Sequence, residues 1–387
     1  MRGATAMPLR LPPLYALTDR AVSGIADPVE VAARLLAVGV KALQLREKAL
    51  PDRALLEAAE AIAPLARSAR AAFFVNDRVD VARLAGAGVH LGEDDLPAAE
   101  ARRVLGPGAL VGVSTHDVPA AIRAFADPSA DYVAFGPVFE SATKASRPGR
   151  GLAELSRAAA CKTRPLVAIG GITLDQLDAV WDAGADSAAM IGGLYAGGHV
   201  EENARAALDR ARRRRTPRRI YVVGFMGAGK STLGRRIAER LALPFVDLDD
   251  EIERTSGRTI RALFEESGEA AFREREAAFL AATESLPGAV IATGGGCFVQ
   301  EENRRRVGRL GTAVHLDVPF ETVRRRLKGK TDRPLFVSEE QLGALFAERA
   351  AFYRMAPVAV ALGGVETVEQ AADKVLTALD DFETIPV

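Results

Sequence analysis

Short apolar stretches recur through the first half of the chain, separated by longer amphipathic ones. The stretches are residues 14–19, 42–47, 72–77, 88–92, 110–115, 132–137, 166–171 and 187–192. Most gaps between them are alanine-rich with apolar residues at helical spacing. Asp27-Pro28 opens one such gap, and Val31, Leu35 and Val38 share a face of the helix it predicts. Strand alternating with helix calls for a parallel sheet. Eight such units within about 200 residues predict a closed (β/α)8 TIM barrel, with an open doubly wound sheet as the competing arrangement.

A second α/β rhythm follows, with strands expected at 220–224, 245–249, 289–294, 312–318 and 358–362. It predicts a P-loop nucleotide-kinase core around a five-stranded parallel sheet. Between the two patterns lies an arginine run containing Arg210, Arg212, Arg213, Arg214, Arg215, Arg218 and Arg219, interrupted by Thr216-Pro217. Proline disfavours helix at the residue before it, so the preceding helix should end here. The expected organisation is a barrel over 10–208, an Arg-rich linker over 209–219 and a P-loop domain over 220–382. No aromatic residues interleave with the arginines, which favours a solvated helix end over a nucleic-acid or anionic-membrane patch.

Composition narrows this little. The 387 residues suit two domains, and the formal net charge of zero gives no reason to expect a nucleic-acid partner. Two cysteines, Cys161 and Cys297, fall in different halves, so no disulfide framework is expected. No stretch approaches the roughly 20 apolar residues of a membrane helix. A soluble, cytoplasmic protein with small-molecule substrates is the expectation.

In the second half, Gly224 to Ser231 fits G-x-x-x-x-G-K-[ST] between a strand and a helix, the context a P-loop requires. Leu233, Ile237 and Leu241 share a face of that helix. Gly227, Ala228, Gly229, Lys230, Ser231 and Thr232 are the candidate ATP-binding turn. Lys230 should reach the β/γ-phosphates and Ser231 should ligate Mg2+. Asp247 and Asp249 end the next expected strand, where period-two geometry puts both on one face. Arg273 follows Phe272 on a predicted helix, Thr293 precedes the bare backbone of Gly294, Gly295 and Gly296, and Arg333 and Arg349 come later.

In the first half, Gln44, Arg46 and Lys48 alternate with Leu43 and Leu45. In a barrel the leucines pack outward under helices while the polar face looks into the mouth. Two cations there suggest an anionic ligand; an ion pair with a neighbouring strand is the alternative. Asn76-Asp77 and Asp95 follow the third and fourth strands, where Asp77 and Asp95 could share a hard cation such as Mg2+. Ser141, Thr143 and Lys144 form a hydroxyl-rich loop suited to phosphate. Gly170-Gly171 and Ile191-Gly192-Gly193 close the last two strands, the usual phosphate end of such a barrel.

Taken together, the motifs of residues 220–380 closely resemble shikimate kinase. The resemblance implies ATP-dependent phosphorylation of the 3-hydroxyl of shikimate. On it, Asp249 holds and orients the acceptor, and Asp247 organises Mg2+. Arg273, Gly295 and Arg349 bind shikimate, Arg333 stabilises the transferring phosphoryl group from a lid, and Arg326 lies near the adenine. Ala350-Ala351 departs from the family, which often has proline there. Gluconate kinase is the rival.

Residues 12–208 resemble thiamine-phosphate synthase. That resemblance implies joining 4-amino-2-methyl-5-hydroxymethylpyrimidine diphosphate to thiazole phosphate, with diphosphate departing first and the thiazole nitrogen capturing the pyrimidine carbocation. Gln44, Arg46, Lys48, Asn76, Ser114 and Lys144 would bind the pyrimidine diphosphate, with Lys144 gripping the leaving group. Asp77 and Asp95 would ligate Mg2+. Ser141, Thr143, Gly171, Ile191 and Gly192 would hold the thiazole phosphate, although the family often has serine where Gly192 stands. The expectation is a bifunctional transferase with Mg2+ in both halves. The alternative is an active shikimate kinase beside a barrel that is a thiazole tautomerase or a ligand-binding module. His90, His116, His199 and His315 show no paired metal spacing and are assigned structural roles, as are Cys297 and Trp181.

Overall fold

The computed structural model describes residues 11–140, 149–214, 219–328 and 339–384. The chain divides into two compact units, Met1–Arg212 and Arg213–Val387.

The first unit is a closed parallel barrel of eight strands in sequence order. They are β1 Leu14–Leu17, β2 Ala42–Leu45, β3 Ala72–Asn76, β4 Gly88–Leu91, β5 Val111–Thr115, β6 Tyr132–Phe135, β7 Leu166–Ile169 and β8 Ser187–Met190. Closure is direct, with Leu14 beside Ala188 and Ala16 beside Met190. Side chains alternate as a barrel demands. Leu43, Leu45, Val75 and Val89 pack outward with Val31, Leu35 and Ile62 of the helices, while Tyr15, Leu17, Phe74, Tyr132 and Val167 fill the interior. Gly112 admits this aromatic plug, since a Cβ there would lie 2.0 Å from the Tyr132 ring.

The second unit is a five-stranded parallel sheet built from β9 Arg219–Val223, β10 Phe245–Asp247, β11 Ala289–Ala292, β12 Thr312–Asp317 and β13 Val358–Ala361. The spatial order is β10-β11-β9-β12-β13, so β9 is central and the P-loop leaves its carboxyl end between two diverging neighbours. That is where open α/β sheets bind ligands. The following helix, Lys230–Leu241, buries Leu233, Ile237 and Leu241.

All thirteen expected strands are present. Most end one or two residues early, because the chain leaves the sheet to form the loops that carry polar side chains. At β10 this changes the geometry. Asp249 is not on the strand but in the first turn of the helix Leu248–Ser256, and Asp247 is the residue that caps that helix. The Asp249 amide donates to Asp247 Oδ1 at 3.1 Å, so the cap turns the chain before period-two alternation can place both carboxylates on one face. Residues 209–213 of the expected linker belong to the helix Val200–Arg213. No described helix is long and apolar enough to cross a membrane.

Candidate active sites

A cavity of about 680 Å3 opens at the carboxyl ends of the barrel strands. It brings together Gln44, Arg46, Lys48, Asn76, Asp77, Asp95, Ser114, Gly171, Ile191 and Gly192. Ser141, Thr143 and Lys144 lie outside the described residues, as does Arg333 of the second unit.

The two cations that follow β2 stand at the cavity, and each has a carboxylate beside it. Arg46 lines the cavity and also donates from Nη1 to Asp19 Oδ2 at 2.5 Å. Lys48 is more exposed, its Nζ 3.8 Å from Asp77 Oδ2. Asp77 holds a left-handed backbone at φ 63°, unusual for a side chain with a Cβ. Its carboxyl is pushed up to about 6, first by burial and then by the hydrogen bond and charge of Asp95, against the pull of Lys48. Asp95 Oδ2 in turn accepts from the Gly92 amide at 2.6 Å. Among the described residues no three His, Cys, Asp or Glu side chains converge as a metal cluster. The acid pair fits a hard cation whose remaining ligands come from substrate and water: two carboxylates held this close are relieved by a dication.

Below the mouth runs a polar chain. Gln44 Nε2 donates to Tyr15 Oη at 3.0 Å, Tyr15 Oη meets Tyr132 Oη at 2.9 Å, and Tyr132 Oη meets His90 Nδ1 at 2.9 Å. His90 Nε2 lies 2.8 Å from Ser114 Oγ. Gln44 Oε1 is buried and accepts no hydrogen bond in the described structure. His116 Nδ1 donates to the Gly136 carbonyl at 2.6 Å, and its Nε2 lies 3.9 Å from Glu93 Oε2. Beyond the end of β7, Gly171 has φ 65°, and a Cβ there would lie 2.3 Å from the Glu140 carbonyl oxygen.

In the second unit the P-loop carries left-handed glycines, Gly227 at φ 76° and Gly229 at φ 96°, where a Cβ would be strained. Lys230 Nζ donates to the Phe225 carbonyl at 3.1 Å, and Arg326 Nη1 donates to the carbonyls of Gly227 and Ala228 at 3.3 and 3.2 Å. The glycine triplet after β11 admits the protein's own charged side chains. A Cβ on Gly294 would lie 2.3 Å from Glu276 Oε1 and 2.7 Å from Asp249 Oδ1, and one on Gly296 would lie 2.3 Å from Arg273 Nη2. The same construction on Gly295 comes 3.8 Å from Arg349 Nη1, and the Gly295 carbonyl accepts from the Tyr353 hydroxyl. Arg273, Gly295, Arg349 and Asp249 therefore surround one backbone turn. Arg273 Nη1 donates to Glu276 Oε2 at 2.8 Å. Glu276 is fully buried with Oε1 unpaired, and burial pushes its carboxyl upward while Arg273 pulls it down. Burial likewise pushes the Tyr353 hydroxyl up to about 12, opposed by Arg349.

The family model for thiamine monophosphate synthase matches residues 14–194, and that for shikimate kinase matches residues 226–380. Thiamine-phosphate synthase of Methanoculleus marisnigri is 47% identical over 199 residues, covering 51% of this chain and 94% of the relative. Shikimate kinase of Persephonella marina is 40% identical over 148 residues, covering 38% of this chain and 90% of the relative. The chain belongs to both families. Both are transferase families, so the protein is a fusion of a synthase unit and a kinase unit. Thiamine-phosphate synthase of Anaeromyxobacter dehalogenans matches the synthase unit at 51% identity over 172 residues, covering 44% of this chain and 77% of that enzyme.

Sequence reasoning missed three side chains. In the synthase unit, His90 and His116 line the cavity, a placement that the structural reading of these histidines does not include. The available signal was strand parity: His90 shares the inward face with Gly88, as Gln44 does with Ala42. In the kinase unit, Glu276 lies one helical turn after Arg273, and that i, i+3 spacing was its signal. Cys297 is buried with its thiol pushed up by burial, consistent with packing.

Proposed function

We propose that the chain is a bifunctional enzyme that makes thiamine phosphate in its barrel and phosphorylates shikimate in its P-loop unit. The observation that carries the first reading is the convergence of Gln44, Arg46, Lys48, Asn76, Asp77, Asp95, Ser114, Gly171, Ile191 and Gly192 on one cavity. Arg46, Lys48 and Asn76 bind the diphosphate of the pyrimidine substrate, and Lys144 takes the leaving group. Charge stabilisation of departing diphosphate, rather than activation of a nucleophile, is what such a cluster supplies. Gln44 Oε1, buried and without a protein donor, suits the exocyclic amine of the aminopyrimidine. Ser114 borders the same ring, while Ser141, Thr143, Gly171, Ile191 and Gly192 hold the thiazole phosphate. Asp77 and Asp95 would hold Mg2+, which supplies countercharge to the diphosphate when bound.

In the kinase unit, Gly227 through Thr232 cradle ATP, with Lys230 on its β/γ-phosphates. Ser231 and Asp247 would hold Mg2+. Arg273 and Arg349 grip the shikimate carboxylate as planar forks. Asp249 holds the acceptor hydroxyls and orients the nucleophile, with Gly295 beside it. Arg326 borders the nucleotide, and Arg333 completes the charge around the transferring phosphoryl group.

Parallel assays of the full chain with Mg2+ test both halves. One receives ATP and shikimate, the other the pyrimidine diphosphate and thiazole phosphate. Both products are expected. A barrel that yields no thiamine phosphate overturns its assignment, and retesting as a tautomerase then decides the alternative.

A further inference from the structure

Asp19 follows β1 and is absent from the cavity wall, yet its carboxylate is fixed by two sets of contacts. Oδ1 accepts from the amides of Ala21 and Val22 at 3.1 and 3.3 Å and so caps the short helix Arg20–Ser23. Oδ2 accepts from Arg46 Nη1 at 2.5 Å, and both side chains are 13% exposed. The strand ends that carry the two residues are stitched as well. The Arg46 amide donates to Thr18 Oγ1 at 3.1 Å, and the Arg20 amide donates to Glu47 Oε2 at 3.2 Å. Among the described residues, Asp19 is the only ion-pair partner of Arg46.

We infer that Asp19 is a positioning residue for the synthase reaction: it spends one guanidinium nitrogen of Arg46 on a fixed protein anchor so that the remaining N–H donors point at the diphosphate. The inference rests on the thiamine-phosphate synthase reading of the barrel. A carboxylate next to an anion site opposes anion binding by simple Coulomb interaction. Its removal therefore strengthens diphosphate binding unless orientation outweighs charge. An aimed guanidinium lowers the barrier through geometry, where a displacement of about 1 Å costs up to about 100-fold.

The substitution Asp19→Asn separates the two functions of the side chain. Asparagine caps helices as well as aspartate, so its amide oxygen stays on Ala21 and Val22. Its amino group then presents a donor where Arg46 needs an acceptor. In the full chain, Asp19→Asn is expected to lower kcat/KM for the pyrimidine diphosphate about tenfold or more. KM for thiazole phosphate should stay within about twofold, since that subsite shares no partner with Asp19. In an Arg46→Ala background the same change should do nothing further. Asp19→Ser, which caps but cannot reach Arg46, must reproduce the loss, so a folding defect of one variant does not decide the matter. Unchanged or improved kcat/KM for the diphosphate substrate, or an equal loss in the Arg46→Ala background, overturns the inference. If the wild-type chain makes no thiamine phosphate, the functional reading fails separately. Calorimetric binding of inorganic diphosphate with Mg2+ then judges Asp19: weaker binding by Asp19→Asn upholds the anchor, and equal or tighter binding overturns it.

Discussion

At the scale of single residues, Gly192 is the departure from family habit with the clearest consequence. A Cβ at this position would meet nothing within 4 Å, so the site has room for the serine that the family often carries. A hydroxyl there adds a hydrogen bond to a charged phosphate, for which about 1.5–3 kcal/mol is the usual range. Gly192→Ser is therefore expected to fold normally and to lower KM for thiazole phosphate about tenfold or more, measured by steady-state kinetics. Gly171 gives the contrast, because its φ of 65° and the nearby Glu140 carbonyl leave a side chain no place. Asp77 carries a pH prediction. Its folded carboxyl sits at about 6, against 3.8 for the ordinary group. Between those values the folded barrel keeps a proton that the unfolded chain has lost, so without metal this group's contribution to stability falls as pH rises through the window. A cation needs the ionised form, so Mg2+ affinity should fall as pH drops below about 6. From about pH 7.5 to 5.5 the ionised fraction declines about fourfold, and the Mg2+ needed for half-maximal synthase activity should rise by the same factor. Asp95→Asn removes the charge that helps raise Asp77 and should flatten that dependence.

At the scale of elements, the turn after β10 shows where sequence pattern stops being a guide. Alternation correctly placed a polar end on the strand. It could not show that the Asp247 side chain would capture the Asp249 amide and start a helix, because capping competes with strand pairing residue by residue. On the proposed function Asp247 also holds Mg2+, and two substitutions separate that role from the cap. Asp247→Asn keeps the cap and loses the anionic ligand, so stability should hold while the Mg2+ requirement of the kinase rises. Asp247→Ala loses both and should also cost about 1 kcal/mol of stability, read by denaturant unfolding. The barrel strands were legible because period two and the intervening amphipathic helices repeat eight times. The P-loop was legible because its glycines and lysine occupy fixed offsets. The polar chain from Gln44 through Tyr15, Tyr132 and His90 to Ser114 was not, since it joins β1, β2, β4, β5 and β6 only once the barrel closes. Glu276 was half legible: its i, i+3 spacing from Arg273 marks a pair, but only the packing of Gly294 against it buries that carboxylate.

At the scale of the whole molecule, the two chemistries are carried by separate stretches of chain. Every described residue lining the synthase cavity falls between Leu17 and Gly193, inside the unit Met1–Arg212. The described candidates of the kinase, from Gly227 to Arg349, all fall inside the unit Arg213–Val387. Each unit also has its own apolar core, outward-packed and interior clusters in the barrel and a sheet-centred cluster in the kinase. Among the described residues each candidate site is built from side chains of one unit, so the two activities are expected to respond to substitution separately. Asp249→Asn tests this with little change of shape. It retains the volume beside Gly294 and removes the charge that, on the proposed function, orients the acceptor, so shikimate phosphorylation should fall by at least about 100-fold. Thiamine-phosphate formation by the same preparation should stay within about twofold of wild type. The reciprocal change, Asp77→Asn, should abolish the synthase and spare the kinase. If either substitution lowered both activities in parallel while the chain stayed folded, the fusion would be coupled. The next measurement would then be whether saturating one unit with its substrates alters KM in the other, since a true coupling of binding must act in both directions.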